Sequence, residues 1–272
     1  MFEKLDRRRF FGAALLTTVG APALLGQQSA EKKVDPLDLP LDKPGVWTLH
    51  FRYKPPRIDT FMALDAKGNK TKKTVWYMWF QVYNAPTKVK LPNGETELRA
   101  ADPVSFLPEF ELVTKDLNTT HLDDPEPYVV DQIKKKEDET GVLNLQTSIS
   151  ISKRPIPPSL PDAIPKMVSG VAVWTDMAER APRTNRFSIY ISGLSNGLAA
   201  EQQPNGELLI RRKTLQINFI RPTDDNRPEI TDIRPDEANG PAHKWIYRTS
   251  SKVKPALSNI KLPGFVDPPK KP

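Results

Sequence analysis

Cysteine is absent from the 272 residues. The chain therefore forms no disulfide, presents no thiolate nucleophile and offers no cysteine to a haem or an iron–sulfur cluster. Histidine is scarce: His50, His121 and His243 are the only three, and none falls in the HxH or HExxH spacing of a zinc site. No GxSxG elbow, Gly-rich phosphate loop or dinucleotide fingerprint occurs. Uninterrupted helical sequence is also missing, because 28 prolines are spread along the chain. Proline lacks the amide donor and clashes with the preceding helical turn, so the order left to the chain is short strands between proline-containing loops.

No apolar run is long enough for an ordinary membrane span. Near the N-terminus, sixteen residues without a charge run from Phe10 to Leu25, before the polar Gln27 and Gln28, roughly 24 Å as a helix against a hydrocarbon core of about 30 Å. Arg7, Arg8 and Arg9 precede it, and Ala21-Pro22-Ala23 supplies small residues for cleavage before Leu24. This is the layout of a signal peptide over residues 1–23. The run Arg7-Arg8-Arg9-Phe10-Phe11 resembles the twin-arginine export pattern, with Arg7, Arg8, Phe10 and Phe11 as the recognition residues. It departs from that pattern at Asp6, where Ser or Thr is usual, and at Gly12, where Lys is common. The resemblance implies a chain that folds before it crosses the membrane. The general secretion route is the alternative. Either route implies a periplasmic or extracellular protein, with no transmembrane segment once the signal is removed.

Charge of one sign does not dominate. Without residues 1–23, 36 basic and 31 acidic residues leave a formal charge of +5, ordinary for solubility. The basic runs Lys134-Lys135-Lys136 and Arg211-Arg212-Lys213 read as solvated faces, and no nucleic-acid recognition module accompanies them.

What is present is two-residue alternation. Val46–Tyr53 places Trp47, Leu49, Phe51 and Tyr53 on one side. Val75–Asn84 is apolar on both sides: Trp76, Met78, Phe80 and Val82 point one way, and Val75, Tyr77, Trp79 and Tyr83 the other. A strand apolar on both sides must be covered on both. One side belongs to a sandwich core. The other needs a lid or a partner, which makes Tyr77, Trp79 and Tyr83 a candidate interaction surface. Further strands are expected at Phe106–Thr114, Leu143–Ile151, Lys166–Trp174, Arg186–Ser192 and Glu207–Arg221, with a short one at Trp245-Ile246-Tyr247. In Glu207–Arg221 the apolar parity changes between Ile210 and Leu215, which predicts a bulge near Arg211–Lys213 or two separate strands. One short helix is expected from Pro127, with Val129, Val130 and Ile133 on a shared face.

These elements predict an all-β fold: an immunoglobulin-like β-sandwich with long Pro-rich loops and at most one short helix. Residues 24–45 read as an extended leader, 46–250 as a single sandwich domain, and 251–272 as a Pro/Lys-rich tail. Trp76-Tyr77-Met78-Trp79-Phe80, Gly170-Val171-Ala172-Val173-Trp174 and Ile191-Ser192-Gly193-Leu194-Ser195-Asn196-Gly197 together resemble secreted planctomycete-type proteins of unknown function. The resemblance covers roughly residues 46–250. It implies a compartment and brings no activity.

Candidate chemistry is thin. Folding could gather the three histidines with Met62, Met78, Met167 or Met177 around a soft metal, although scattered histidines are more simply separate strand residues. Asp123, Asp124 and Glu126 form one acidic group, and Asp224, Asp225, Glu229, Asp232, Asp236 and Glu237 another. The loop 224–237 is oxygen-rich enough for calcium, but it lacks DxDxDG spacing and is interleaved with Arg227 and Arg234. A glycosidase pair would need two acids about 5–10 Å apart across a cleft. Ser169, Ser192 and Ser195 precede glycines or an Asn-Gly pair and read as turn residues. Asn118-Thr119-Thr120 matches a glycosylation sequon, which carries no information behind a bacterial-style export signal. No catalytic residue, cofactor or metal is assigned. The expected function is a non-catalytic protein-binding or envelope accessory role, with another envelope protein or a second copy as partner. A carbohydrate-binding module, using exposed tryptophans on a glycan, and a carboxylate- or metal-dependent hydrolase are the alternatives.

Overall fold

The computed structural model describes residues 30–249 except 66, 92, 204–207 and 223–231. Arg7, Arg8, Phe10 and Phe11 of the expected signal, and the tail 251–272, lie outside the described residues. In chain order the elements are β1 (Lys32–Val34), β2 (His50–Tyr53), β3 (Arg57–Leu64), β4 (Lys70–Tyr83), β5 (Thr87–Lys90), β6 (Thr96–Arg99), β7 (Glu109–Thr114), β8 (Thr120–Leu122), α1 (Pro127–Glu137), β9 (Gln146–Thr147), α2 (Ser148–Ile151), β10 (Val168–Trp174), α3 (Met177–Arg180), β11 (Arg186–Ser192), β12 (Leu198–Gln202), β13 (Leu208–Ile220), β14 (Arg234–Pro235) and β15 (His243–Arg248). The fold is all-β. Among the described residues, no helix is long and apolar enough to cross a membrane.

Two sheets pack face to face, each organised by one long strand. β4 takes β2 and β3 along one edge and β10 along the other; β1 and the two-residue β9 complete that sheet. β13 takes β11 and β12 along one edge and β14 and β15 along the other, with β7 and β8 continuing beyond β11. β5 and β6 form a separate hairpin. The core lies between the sheets. Phe51, Tyr53, Trp76, Met78, Phe80, Ala172 and Trp174 from the first meet Phe110, Leu112, Phe187, Ile189, Leu215, Ile217 and Phe219 from the second. Gly170 makes room for this packing, because a Cβ there would stand 2.5 Å from the Phe80 ring.

The second apolar side of β4 finds its cover inside the chain. Val129, Val130 and Ile133 of α1 pack on Val75, Tyr77, Phe61, Ala63, Val171 and Val173. α1 also closes the edge of β3: the Gln132 side-chain amide accepts from Met62 N–H (3.1 Å) and donates to Met62 C=O (2.7 Å), and Glu126 accepts from Leu64 N–H (3.1 Å). Pairing those backbone groups removes an edge open to intermolecular strand addition.

Within the extended leader at 24–45, Lys32–Val34 is β1 and pairs with β2. Three expectations need correction. The strand expected at Leu143–Ile151 shrinks to β9 and turns into α2. Thr147 Oγ1 accepts from Ser150 N–H (3.1 Å) while Ser150 Oγ accepts from Thr147 N–H (2.8 Å), a capping box that starts a helical turn. With α3, this makes three short helices where at most one was expected. The irregularity expected at Arg211–Lys213 sits in the partner instead. β13 runs unbroken, and Gly193–Asn196 leave the ladder between β11 and β12. Gly193 has φ +88°, and a Cβ there would stand 2.2 Å from Leu107 C=O, so only glycine fits this corner.

Ile133→Ala is expected to lower the unfolding free energy in urea by about 2–4 kcal/mol. Gly193→Ala should cost at least about 1 kcal/mol. A loss under about 0.5 kcal/mol for Ile133→Ala would mean that α1 is not seated on β4.

Candidate functional site

Tyr77, Trp79 and Tyr83 do not form an open interaction surface; they are 1%, 6% and 5% exposed. Tyr77 lies beneath α1, and its hydroxyl donates to Glu137 (2.7 Å), which also pairs with Arg57 (2.6 Å). Burial, with Glu137 beside it, pushes the Tyr77 phenol above its usual range. Trp79 and Tyr83 lie where no helix reaches, and side chains cover them instead. Lys54 Nζ stands 4.8 Å from the Trp79 ring centre, Arg52 lies over Tyr83 at 5.6 Å, and His50 stacks on Tyr83 at 4.6 Å. Long cationic side chains cover apolar surface with their stems and meet ring faces with their charge. Trp76, Trp174 and Trp245 are also buried, and Trp47 is half-buried against the core. The four buried rings offer no open face for a glycan platform.

The histidines stand apart. His50 Nδ1 is 3.0 Å from Asp35; burial lowers its pKa although Asp35 opposes the shift. His121 is fully buried, in an array that no spacing in the sequence points to. Asp176 Oδ1 is 2.9 Å from its Nδ1, Thr119 Oγ1 is 2.8 Å from its Nε2, and Arg180 holds the other Asp176 oxygen at 2.7 Å. This carboxylate–imidazole–hydroxyl order is that of a nucleophilic triad. Here the imidazole has no exposed surface, and Thr119 Oγ1 is also bonded to Thr114 Oγ1 (2.8 Å). The array fastens the β7–β8 hairpin to the turn that begins α3. Among the described residues, no three of His, Asp and Glu gather to hold an ion.

The acids are fasteners as well. Asp123 accepts from Val173 N–H (2.6 Å) and from Ser148 Oγ, and Asp124 accepts from Thr175 Oγ1 (3.3 Å) while its N–H donates to Val173 C=O (2.8 Å). This pair caps the β10 edge that the short β9 leaves uncovered. Of the second group, Asp224, Asp225 and Glu229 lie outside the described residues; Asp236 accepts from Ala238 N–H (3.3 Å). Ser195 Oγ donates to Trp47 C=O (2.6 Å) and accepts from Gly197 N–H (3.1 Å), and Leu49 N–H donates to Leu194 C=O (2.7 Å). The Gly193–Asn196 excursion is thus a latch from the second sheet to the first.

A buried ion pair completes these ties. Lys213 Nζ is 2.5 Å from Asp42, whose other oxygen accepts from Tyr247 OH (2.6 Å). Burial pushes Asp42 up, but Lys213, Tyr247 and Leu39 N–H outweigh it and hold the carboxyl below its usual range.

One groove, of about 430 Å³, lies between the start of β7 and α2. Leu107, Pro108, Pro125 and Ile149 give it an apolar lining, and Ser148 and Ser152 a polar one. Leu107 is 65% exposed and Ile149 62%. A continuous strand over Leu143–Ile151 would place Ile149 on the same face as Ile151; the capping box at Thr147 turns it outward instead. A second cleft, about 350 Å³, contains Asp59, Trp76 and Arg221. Arg221 lies 5.2 Å from the Trp76 ring centre and donates to Pro182 C=O (3.0 Å).

Comparison with protein-family models, curated proteins and solved structures finds no match to this chain.

The Asp42 carboxyl titrates lower in the folded chain than in the unfolded one. Its stabilisation is therefore present above about pH 4 and is lost as pH falls through the folded value. Asp42→Asn should destabilise the protein at pH 7 by about 3–5 kcal/mol, because it leaves Lys213 buried without its carboxylate. It should also flatten the decline in urea stability below about pH 4. Recovery of most of that loss in Asp42→Asn/Lys213→Met would confirm the pairing, and independent, additive losses would contradict it.

Proposed function

We propose that this chain is a non-catalytic β-sandwich protein of the periplasm or extracellular space that binds another envelope protein. The Arg7-Arg8-Arg9-Phe10-Phe11 run followed by an uncharged segment supports export by the twin-arginine or general secretion route. The strand pairing supports an immunoglobulin-like connectivity. β4 pairs with β10 in one sheet and β7 with β11 in the other, as strands B with E and C with F do in that architecture.

The observation that carries the binding role is the groove holding Leu107 and Ile149. Both of these large side chains are mostly in water, and both line the same groove with Pro108 and Pro125. Exposed apolar groups gathered in a concavity favour a protein contact. The groove volume suits one or two apolar side chains of a partner segment, with Ser148 and Ser152 available as polar contacts at its rim.

The full chain, expressed in its native host with Ile149 replaced by p-benzoylphenylalanine, is expected to give one discrete photo-crosslinked adduct to another envelope protein. Leu107→Ser should abolish that adduct. The same probe at Leu98, exposed on the β5–β6 hairpin, should not produce it. No adduct, an adduct shared with the Leu98 probe, or a product of two copies of this chain would overturn the proposal.

A further inference from the structure

We infer that the part of the first sheet's outer face left uncovered by α1 binds an oxyanion, a carboxylate or sulfate group, between Arg52, Lys54 and Trp79. Strand register sets these residues together. His50, Arg52 and Lys54 alternate outward along β2 and its continuation. Tyr83 lies opposite His50, Gln81 opposite Arg52, and the Trp79 carbonyl accepts from Lys54 N–H (3.1 Å). Ser169 continues the Arg52–Gln81 row and bonds Gln81 Nε2 (2.9 Å).

The donors of this strip are incompletely used. Trp79 Nε1 and Arg52 Nε are both buried and have no hydrogen-bond acceptor. Arg52 meets Glu31 only through Nη1, at 3.3 Å. Among the described residues, no carboxylate lies within ion-pair distance of Lys54, whose ammonium rests over the Trp79 ring. Glu31 and Asp35 are the nearby acids; Asp35 is engaged by Lys33 (2.8 Å) and His50 (3.0 Å). A buried donor without an acceptor keeps the full cost of its lost hydration. A neutral hydroxyl could answer one of them, whereas an oxyanion brings several lone pairs together with the charge that Lys54 and Arg52 favour. Lys54 is the cover of the site. Its ammonium is held over the indole face, not by any carboxylate among the described residues, so it can turn to meet an incoming anion.

The site is read by labelling the indole nitrogens of the full chain with ¹⁵N and assigning the Trp79 signal through its loss in Trp79→Phe. The titrants are sulfate, galacturonate and neutral galactose at constant ionic strength. The Trp79 signal is expected to shift saturably with sulfate, with galacturonate or with both, and not with galactose. Sulfate alone assigns a sulfate site, galacturonate alone a carboxylate site, and both a site for either group. Lys54→Met should weaken the response about tenfold while the other four indole signals stay in place, which separates lost binding from lost folding. A Trp79 signal that does not move, moves without saturating, moves equally with galactose, or responds unchanged in Lys54→Met would overturn the site.

Discussion

Strand β4 must be kept from water on both sides, and most of the architecture answers to that demand. Trp76, Met78, Phe80 and Val82 fill the space between the sheets, while Val75, Tyr77 and Trp79 face the other way. The chain covers that second side by two means. α1 lays an apolar stripe over Val75 and Tyr77, and beyond its reach Lys54, Arg52 and His50 cover Trp79 and Tyr83. The first is hydrophobic burial. The second joins cationic heads to ring faces and keeps the charge near solvent. The same strand thus has an inert end and an end rich in hydrogen-bond donors.

The groups that look chemically useful in the sequence are mostly structural. Asp123 and Asp124 cap the β10 edge, Ser195 anchors a latch between sheets, and His121 links a hairpin to a turn. With no cysteine available, crosslinks between distant segments have to be polar. Those described here join residues far apart in the chain: Asp42 to Lys213 and Tyr247, and Ser195 to Trp47. Each is worth less than a disulfide, but such bonds restrict the chain in the same way when they are buried and satisfied.

What could be read from the sequence followed from period. The two-residue alternation placed β7, β10, β11, β13 and the end of β4 within a few residues of their observed ends, though β4 begins at Lys70 rather than Val75, and Pro127 marked the start of α1. The exposure of Tyr77, Trp79 and Tyr83 could not be read, because alternation says which way a side chain points and not what comes to rest on it. At Leu143–Ile151 the alternation misled. Thr147 and Ser150 exchange hydrogen bonds with the backbone, a local alternative to the strand ladder. The Asp176–His121–Thr119 array was invisible for another reason: Asp176 lies 55 positions from His121, and only the pairing of β7 with β8 and the placement of α3 bring them together.

The Leu143–Ile151 departure also bears on function. Had the alternation continued, Ile149 would share a sheet face with Ile151, and its side chain would be one more core residue. The capping box keeps Ile151 buried and releases Ile149 into water beside Leu107. Such exposure disfavours the isolated chain by roughly the transfer free energy of the side chain, about 1.5–3 kcal/mol for full exposure. Large apolar side chains stand in water elsewhere too, Val142 and Ile164 among them. Leu107 and Ile149 differ in lining one concavity, where a single partner segment can cover both.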